Sequence, residues 1–171
     1  MEQNWFRSYL TNRVQCCEIN GHKSSFKEVK MGVPQGSVAG PLLFLIFIND
    51  LCNATDLGTI LFADDTTFQS SGSDLHELYA KVNYNLKKAE SWFCANGLTL
   101  HPKKTKYILF TNHKEYRLEN IYLCNDSVER IGENCPTKYF KFLGLLVDDK
   151  LNWHHHINLL RGKLSSVNFA L

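Results

Sequence analysis

Thr59-Ile60-Leu61-Phe62-Ala63-Asp64-Asp65-Thr66-Thr67-Phe68-Gln69 is the stretch on which the fold turns. Two short runs rich in β-branched and aromatic residues flank a pair of acids. Thr59 to Ala63 and Thr66 to Gln69 therefore read as strands, with Asp64-Asp65 at the tip of a tight hairpin. Carboxylates that close repel each other unless something neutralises them. Two readings stand side by side. Asp is a favoured turn residue, so the pair can be a solvated turn. Carboxylate oxygens also suit a hard divalent cation such as Mg²⁺.

Upstream, Val14 to Ile19 and Phe26 to Met31 read as two strands, with a turn that begins at Asn20-Gly21. Trp5, Phe6, Tyr9 and Leu10 lie at helical spacing before them. The loop Val33-Pro34-Gln35-Gly36-Ser37 precedes an apolar helix that runs to about Leu51, and Ser37 is placed to cap it.

Downstream, Leu75, Leu78, Tyr79, Val82, Leu86, Ala89 and Phe93 mark one face of a long amphipathic helix. Asp74 with Glu77 resembles a capping box, and Gly97 after Asn96 is a natural stop. Beyond it, Tyr107 to Thr111 is a strand. Ile121 to Cys124 and Ser127 to Ile131 form a hairpin around Asn125-Asp126, and Phe142 to Val147 is a further strand. Trp153, Ile157, Leu160, Leu164 and Val167 mark a last helix. Strands and helices mix without regular βαβ alternation. The expected class is α+β, a mostly antiparallel sheet packed against helices.

Composition agrees. At 171 residues, 44% hydrophobic and 21% charged, the chain is globular, and 21 aromatic residues are too many for disorder. A net charge of +2 decides nothing about nucleic acid, because a local patch matters more than the sum. Six scattered cysteines without a CxxC pair argue for reduced, mostly buried thiols rather than zinc. Met1 to Leu10 has no leader pattern, and the apolar run Val38 to Ile48 is shorter than the roughly 20 residues a spanning helix needs. The expectation is an intracellular chain, nuclear or cytoplasmic, with no membrane contact.

The order of short motifs is more specific than any one of them. Gly32-Val33-Pro34-Gln35-Gly36-Ser37, Phe62-Ala63-Asp64-Asp65, Asn96-Gly97-Leu98-Thr99-Leu100 with Lys103-Lys104-Thr105-Lys106, and Phe142-Leu143-Gly144-Leu145 follow one another. The series resembles motifs B, C, D and E of the reverse transcriptase palm, in particular that of jockey-like non-LTR retrotransposons. The likeness covers nearly the whole chain: a partial reverse transcriptase domain over 1–171, palm 1–150 and the start of a thumb 151–171.

What the resemblance implies is RNA-directed DNA polymerase chemistry, a two-metal nucleotidyl transfer to a primer 3′-hydroxyl. Asp64 and Asp65 would be its catalytic carboxylates and ligands for Mg²⁺ or Mn²⁺, with Asp64 the more direct ligand. Gln35, Gly36, Phe62 and Lys104 would serve template and nucleotide, and the partners would be an RNA template, a DNA primer and deoxynucleoside triphosphates. Phe62 stands where many relatives have Tyr, and its bland role is a core aromatic behind the hairpin. Pro102 to Arg117 carries a local excess of about four positive charges, through Lys103, Lys104, Lys106, Lys114 and Arg117. That suits a phosphate backbone, and equally a solvated loop. The second acid pair, Asp148-Asp149, reads as a turn entering the last helix. His154-His155-His156 cannot chelate one ion together, since helical neighbours point about 100° apart.

One expected part is missing. The family draws a further Asp from a motif A strand that precedes motif B, and no Asp occurs here before Asp50. The chain reads as an internal slice truncated at both ends and inactive alone. The alternative is a catalytically inactive palm remnant that acts, if at all, as a binding or interaction module.

Overall fold

A computed structural model describes residues 2–34, 36–112 and 119–168. The chain forms two compact units: 1–50 with 60–67, and 51–59 with 68–171.

The first unit opens with helix α1, Glu2–Leu10. Strands β1 (Arg13–Gln15) and β4 (Lys27–Val29) pair antiparallel, Val14 opposite Glu28. Between them β2 (Glu18–Ile19) pairs with β3 (His22–Lys23). The two strands expected here are thus one long hairpin broken in the middle. At the break, Ser24 bonds Cys17 twice, by its backbone N to the Cys17 carbonyl at 2.9 Å and by its hydroxyl from the Cys17 N at 3.0 Å. Asn20 and Gly21 both adopt positive φ, +50° and +80°, as the two central residues of a type I′ turn must.

Helix α2, Ala39–Ile48, follows the glycine loop and continues as a 3₁₀ turn over Asn49–Asn53. Pro41 is tolerated because it falls in the first turn, where an N–H has no helical partner. Only Gly40 and Ile48 of α2 are buried, while Leu42, Leu45, Ile46 and Phe47 remain exposed.

The hairpin of β5 (Gly58–Phe62) and β6 (Asp65–Gln69) has its roots in the second unit and its tip in the first. Helix α3, Leu75–Ala95, is the spine of the second unit. Asp74 caps its start by accepting from Glu77 N at 2.8 Å. Its end is a complete Schellman motif: Leu98 N donates to Phe93 O at 2.9 Å and Gly97 N to Cys94 O at 3.1 Å. Gly97 at φ +68° supplies the left-handed residue that this motif needs.

Against α3 lies the core of Leu57, Tyr79, Leu86, Ile121, Leu123 and Val128, with Phe68, Val82, Leu100 and Tyr107 packed on it. Strand β7 is Lys106–Ile108, β8 Tyr122–Leu123, β9 Asp126–Ser127 and β10 Glu129–Ile131. The β8–β9 turn is Cys124-Asn125, one residue earlier than the Asn-Asp signal suggests, and both residues have positive φ. Strand β10 runs parallel to β7.

Strands β11 (Phe140–Phe142) and β12 (Leu145–Val147) form a hairpin with Leu143-Gly144 at its turn, where a single strand was expected. Glycine at φ +94° lets the chain reverse inside an apolar run that carries no polar turn signal. Helix α4, His154–Asn168, closes the chain.

The class is α+β, as expected, with one correction. The described strands do not form a single sheet but six two-stranded pairs, five of them antiparallel or closed by a tight turn and one parallel. Most strands are only two or three residues long, too short to recruit a third partner. The six thiols also differ from expectation. All are free, Cys17, Cys52, Cys94 and Cys124 are exposed, and Cys16 and Cys135 are half-buried.

Candidate active site

The acids stand on a two-residue turn, shifted from the expected position. Ala63-Asp64 make the turn, and Asp65 is already the first residue of β6. Ala63 takes φ +50°, a conformation that alanine adopts only at a cost of roughly 1–2 kcal/mol. The reversal must therefore be held by the strands on either side. Both carboxylates are exposed, and among the described residues neither forms an ion pair or a hydrogen bond with another side chain. Two adjacent exposed carboxylates offer hard oxygen ligands.

That donor set fits a divalent ion such as Mg²⁺, which takes one or two carboxylates, keeps several waters and completes its shell with substrate phosphates. No cluster of three or more His, Cys, Asp or Glu side chains able to hold a metal exists among the described residues.

Phe62 departs from its expected core role. It is 60% exposed, because along β5 exposed and half-buried residues alternate, and Phe62 falls on the outward side with Ile60. Gly36 is exposed at φ +75°, and a Cβ built there would meet nothing within 4 Å. The backbone conformation, rather than crowding, demands glycine at that position. Gln35 lies outside the described residues. Ser37 organises the rest of the loop. Its hydroxyl donates to the Pro34 carbonyl at 2.7 Å and accepts from Gly40 N at 3.1 Å, capping α2 as expected.

Asp64, Asp65, Phe62 and Gly36 belong to the first compact unit, and Lys104 belongs to the second. Lys104 is exposed in the 3₁₀ turn Pro102–Lys104. Its neighbour Lys103 lines a cleft of about 320 Å³ with Pro102, Asp126, Ser127 and Glu129. Lys106 is paired with Glu129, which also accepts from Thr137 Oγ1. Those two contacts, Lys106 first, hold the Glu129 carboxyl below the usual range. The basic stretch is therefore less cationic than its sequence, with Lys103 and Lys104 its exposed charges. Lys114 and Arg117 lie outside the described residues.

The second acid pair has partners of its own. Asp148 Oδ1 accepts from Lys150 N at 2.9 Å and Asn152 N at 3.1 Å, which makes the expected turn into α4. Asp149 Oδ1 accepts from Glu133 N at 3.1 Å, and its Oδ2 lies 3.8 Å from Arg130 Nη2. Both are buried and hydrogen-bonded, as scaffold acids are. Among the three histidines, the His155 ring rests on Tyr139, with centroids 4.6 Å apart, and His156 Nδ1 is 3.4 Å from Leu146 N.

Sequence reasoning missed Asn85. This buried amide accepts from Asp56 N at 3.0 Å and from Thr55 Oγ1 at 3.4 Å, and it donates to Lys81 O at 3.0 Å. The signal was a polar residue directly beside Leu86 on an otherwise apolar helix face.

The family described as reverse transcriptase (RNA-dependent DNA polymerase) matches residues 1–147. The RNA-directed DNA polymerase from mobile element jockey of Drosophila melanogaster is 25% identical over 159 residues, covering 88% of this chain and 17% of the relative. Its counterpart in Drosophila funebris is 26% identical, covering 96% and 19%. A retrovirus-related Pol polyprotein from the type-1 retrotransposable element R1 of Bradysia coprophila is 30% identical, covering 81% and 14%. The chain thus spans less than a fifth of the length of these relatives. No solved structure matches it. No described helix is long and apolar enough to cross a membrane.

Proposed function

The chain belongs to the reverse transcriptase family, and from that premise we propose that it is the motif B to E portion of an RNA-directed DNA polymerase of a jockey-like non-LTR retrotransposon. In this reading residues 1–150 are palm and 151–171 the start of the thumb. The observation that carries it is the β5–β6 turn, which presents Asp64 and Asp65 to solvent with no cation partner among the described residues.

Asp64 and Asp65 would hold Mg²⁺ or Mn²⁺, with Asp64 the more direct ligand. The chemistry such ions would supply there is a lowered pKa for a primer 3′-hydroxyl and positive charge for the triphosphate and its leaving pyrophosphate. Gly36, with open space where a Cβ would stand, lets the loop backbone lie against template and nucleotide, and Gln35 flanks it. Phe62, exposed beside the acids, offers an apolar face to the nucleotide. Lys104 brings positive charge to pyrophosphate. The protein's part is positioning and charge stabilisation, as in phosphoryl transfer generally. No Asp occurs before Asp50, so the third carboxylate of the family has no counterpart in the 49 residues ahead of it.

The test is a chimera in which this chain replaces the matching segment of the Drosophila melanogaster jockey polymerase. Template-directed extension with Mg²⁺ is expected, and Asp64→Asn abolishes it by removing a ligand charge. Asp148→Asn keeps the acceptor Oδ1 and leaves extension within about twofold, since the lost charge is remote from the chemistry. A chimera that does not extend primer overturns the reading in favour of a remnant without catalysis, and equal loss in the two variants, or extension that survives Asp64→Asn, overturns the assignment of the acid pair.

A further inference from the structure

Among the buried residues of α3, Tyr79, Leu86, Ala89 and Phe93 are hydrophobic, and Asn85 is the exception. An amide on a buried helix face costs free energy unless it is fully bonded, and an apolar residue of similar volume would pack there without that requirement. Asn85 is 3% exposed and uses both ends of its amide. The oxygen accepts from Thr55 Oγ1 and Asp56 N, and the nitrogen donates one turn back, to Lys81 O. Thr55 Oγ1 in turn accepts from Leu57 N at 3.3 Å.

The residues so held are the last three before β5. Around them, Lys88 Nζ reaches Asp56 Oδ2 at 2.9 Å, and Leu57 is sunk in the core. On the other strand, Phe68 packs on the same core. Gly58 lies so close over Gln69 that a Cβ would come within 2.7 Å of its Cγ. One root of the hairpin is therefore held by polar contacts as well as by Leu57 in the core, and the other by an apolar contact. Only the polar pin sets register along α3, because hydrogen bonds demand fixed partners and apolar packing tolerates sliding.

We propose that Asn85 is a positioning residue: through Thr55 and Asp56 it fixes the register at which β5 leaves α3, at the root of the hairpin whose turn carries Asp64 and Asp65. The proposal rests on the polymerase reading only for its consequence in catalysis. The anchor itself is a property of the second unit. Ala63 at φ +50° gives the anchor a reason, since a strained reversal keeps its geometry only while the strands beneath it stay paired.

Two variants separate the anchor from general stability. Asn85→Leu keeps the volume and removes every bond. Thr55→Val is nearly isosteric and removes the hydroxyl that links Asn85 to Leu57. Amide hydrogen exchange is measured on the 171-residue chain. Both variants should speed exchange across residues 57–69 by tenfold or more, while residues 75–95 of α3 stay within threefold of wild type. Exchange that is unchanged in the hairpin, or raised equally in α3, overturns the proposal and leaves Asn85 a packing detail. The same variants in the jockey chimera should lower kcat about tenfold, with KM for nucleotide within twofold. If the parent chimera does not extend primer, the polymerase reading fails while the exchange result still judges the anchor.

Discussion

The Tyr9 hydroxyl donates to Ser37 Oγ at 2.5 Å, tying α1 to the glycine loop across 28 residues of sequence. Ser37 thereby serves three partners at once: Tyr9, the Pro34 carbonyl and the Gly40 N–H at the head of α2. The loop's shape is set by that one hydroxyl.

Ser37→Ala should therefore lower stability by about 1 kcal/mol, the usual cost of a lost helix cap, with the tie to α1 adding to it. Tyr9→Phe removes only one of the three bonds and should cost less. Urea denaturation of the two variants checks the order, and equal losses would show that the cap contributes nothing.

Gly132 is pressed against the buried acid. A Cβ there would come within 2.7 Å of Asp149 Oδ2. The carboxylate cannot swing aside freely, because it is bonded to Glu133 N and faces Arg130. Gly132→Ala should destabilise by about 1–3 kcal/mol, the range for overpacking a filled site. Gly162→Ala, where a Cβ meets nothing within 4 Å inside α4, should be neutral or stabilising. Thermal unfolding of the pair reads the contrast.

His76 Nδ1 lies 2.6 Å from Glu119 Oε1. The hydrogen bond to Glu119, reinforced by its charge, raises the His76 pKa above 6.5. A raised histidine pKa adds stability that is fully present below the unfolded value near 6.5 and lost as pH rises through the folded value. In an NMR titration His76 should hold its proton above pH 6.5, and Glu119→Gln should bring its midpoint down towards 6.5. No change on that substitution would mean the pair does not form in solution.

At the head of α3, Asp74→Ala should cost about 1 kcal/mol, because Glu77 N loses its acceptor. Asp74→Asn keeps an oxygen in place and should cost only a few tenths. Circular dichroism across a urea titration distinguishes them.

Much of this chain was legible from local chemistry. The limits of α3 follow from Asp74 and Gly97, and the first hairpin from Asn20-Gly21, because capping and positive φ are settled by residues within a turn of one another. The acid hairpin was legible for the same reason, displaced by one residue. The sequence marks two acids as turn formers, but strand pairing places the reversal at Ala63-Asp64. Other features depend on partners far along the chain. Asp148-Asp149 and Asp64-Asp65 are the same dipeptide, yet the first pair is buried, with Asp149 set against Glu133 N and Arg130 from far along the chain, and the second is open. Lys106 reads as free positive charge until Glu129 is brought beside it by the parallel pairing of β7 and β10. Asn85 reads as a blemish on an apolar face until Thr55 and Asp56 arrive from 30 and 29 residues away. Backbone preference is written in neighbouring residues. The meaning of a polar side chain is written by whatever the fold sets against it, because its cost or use depends on whether it is bonded, paired or left to water.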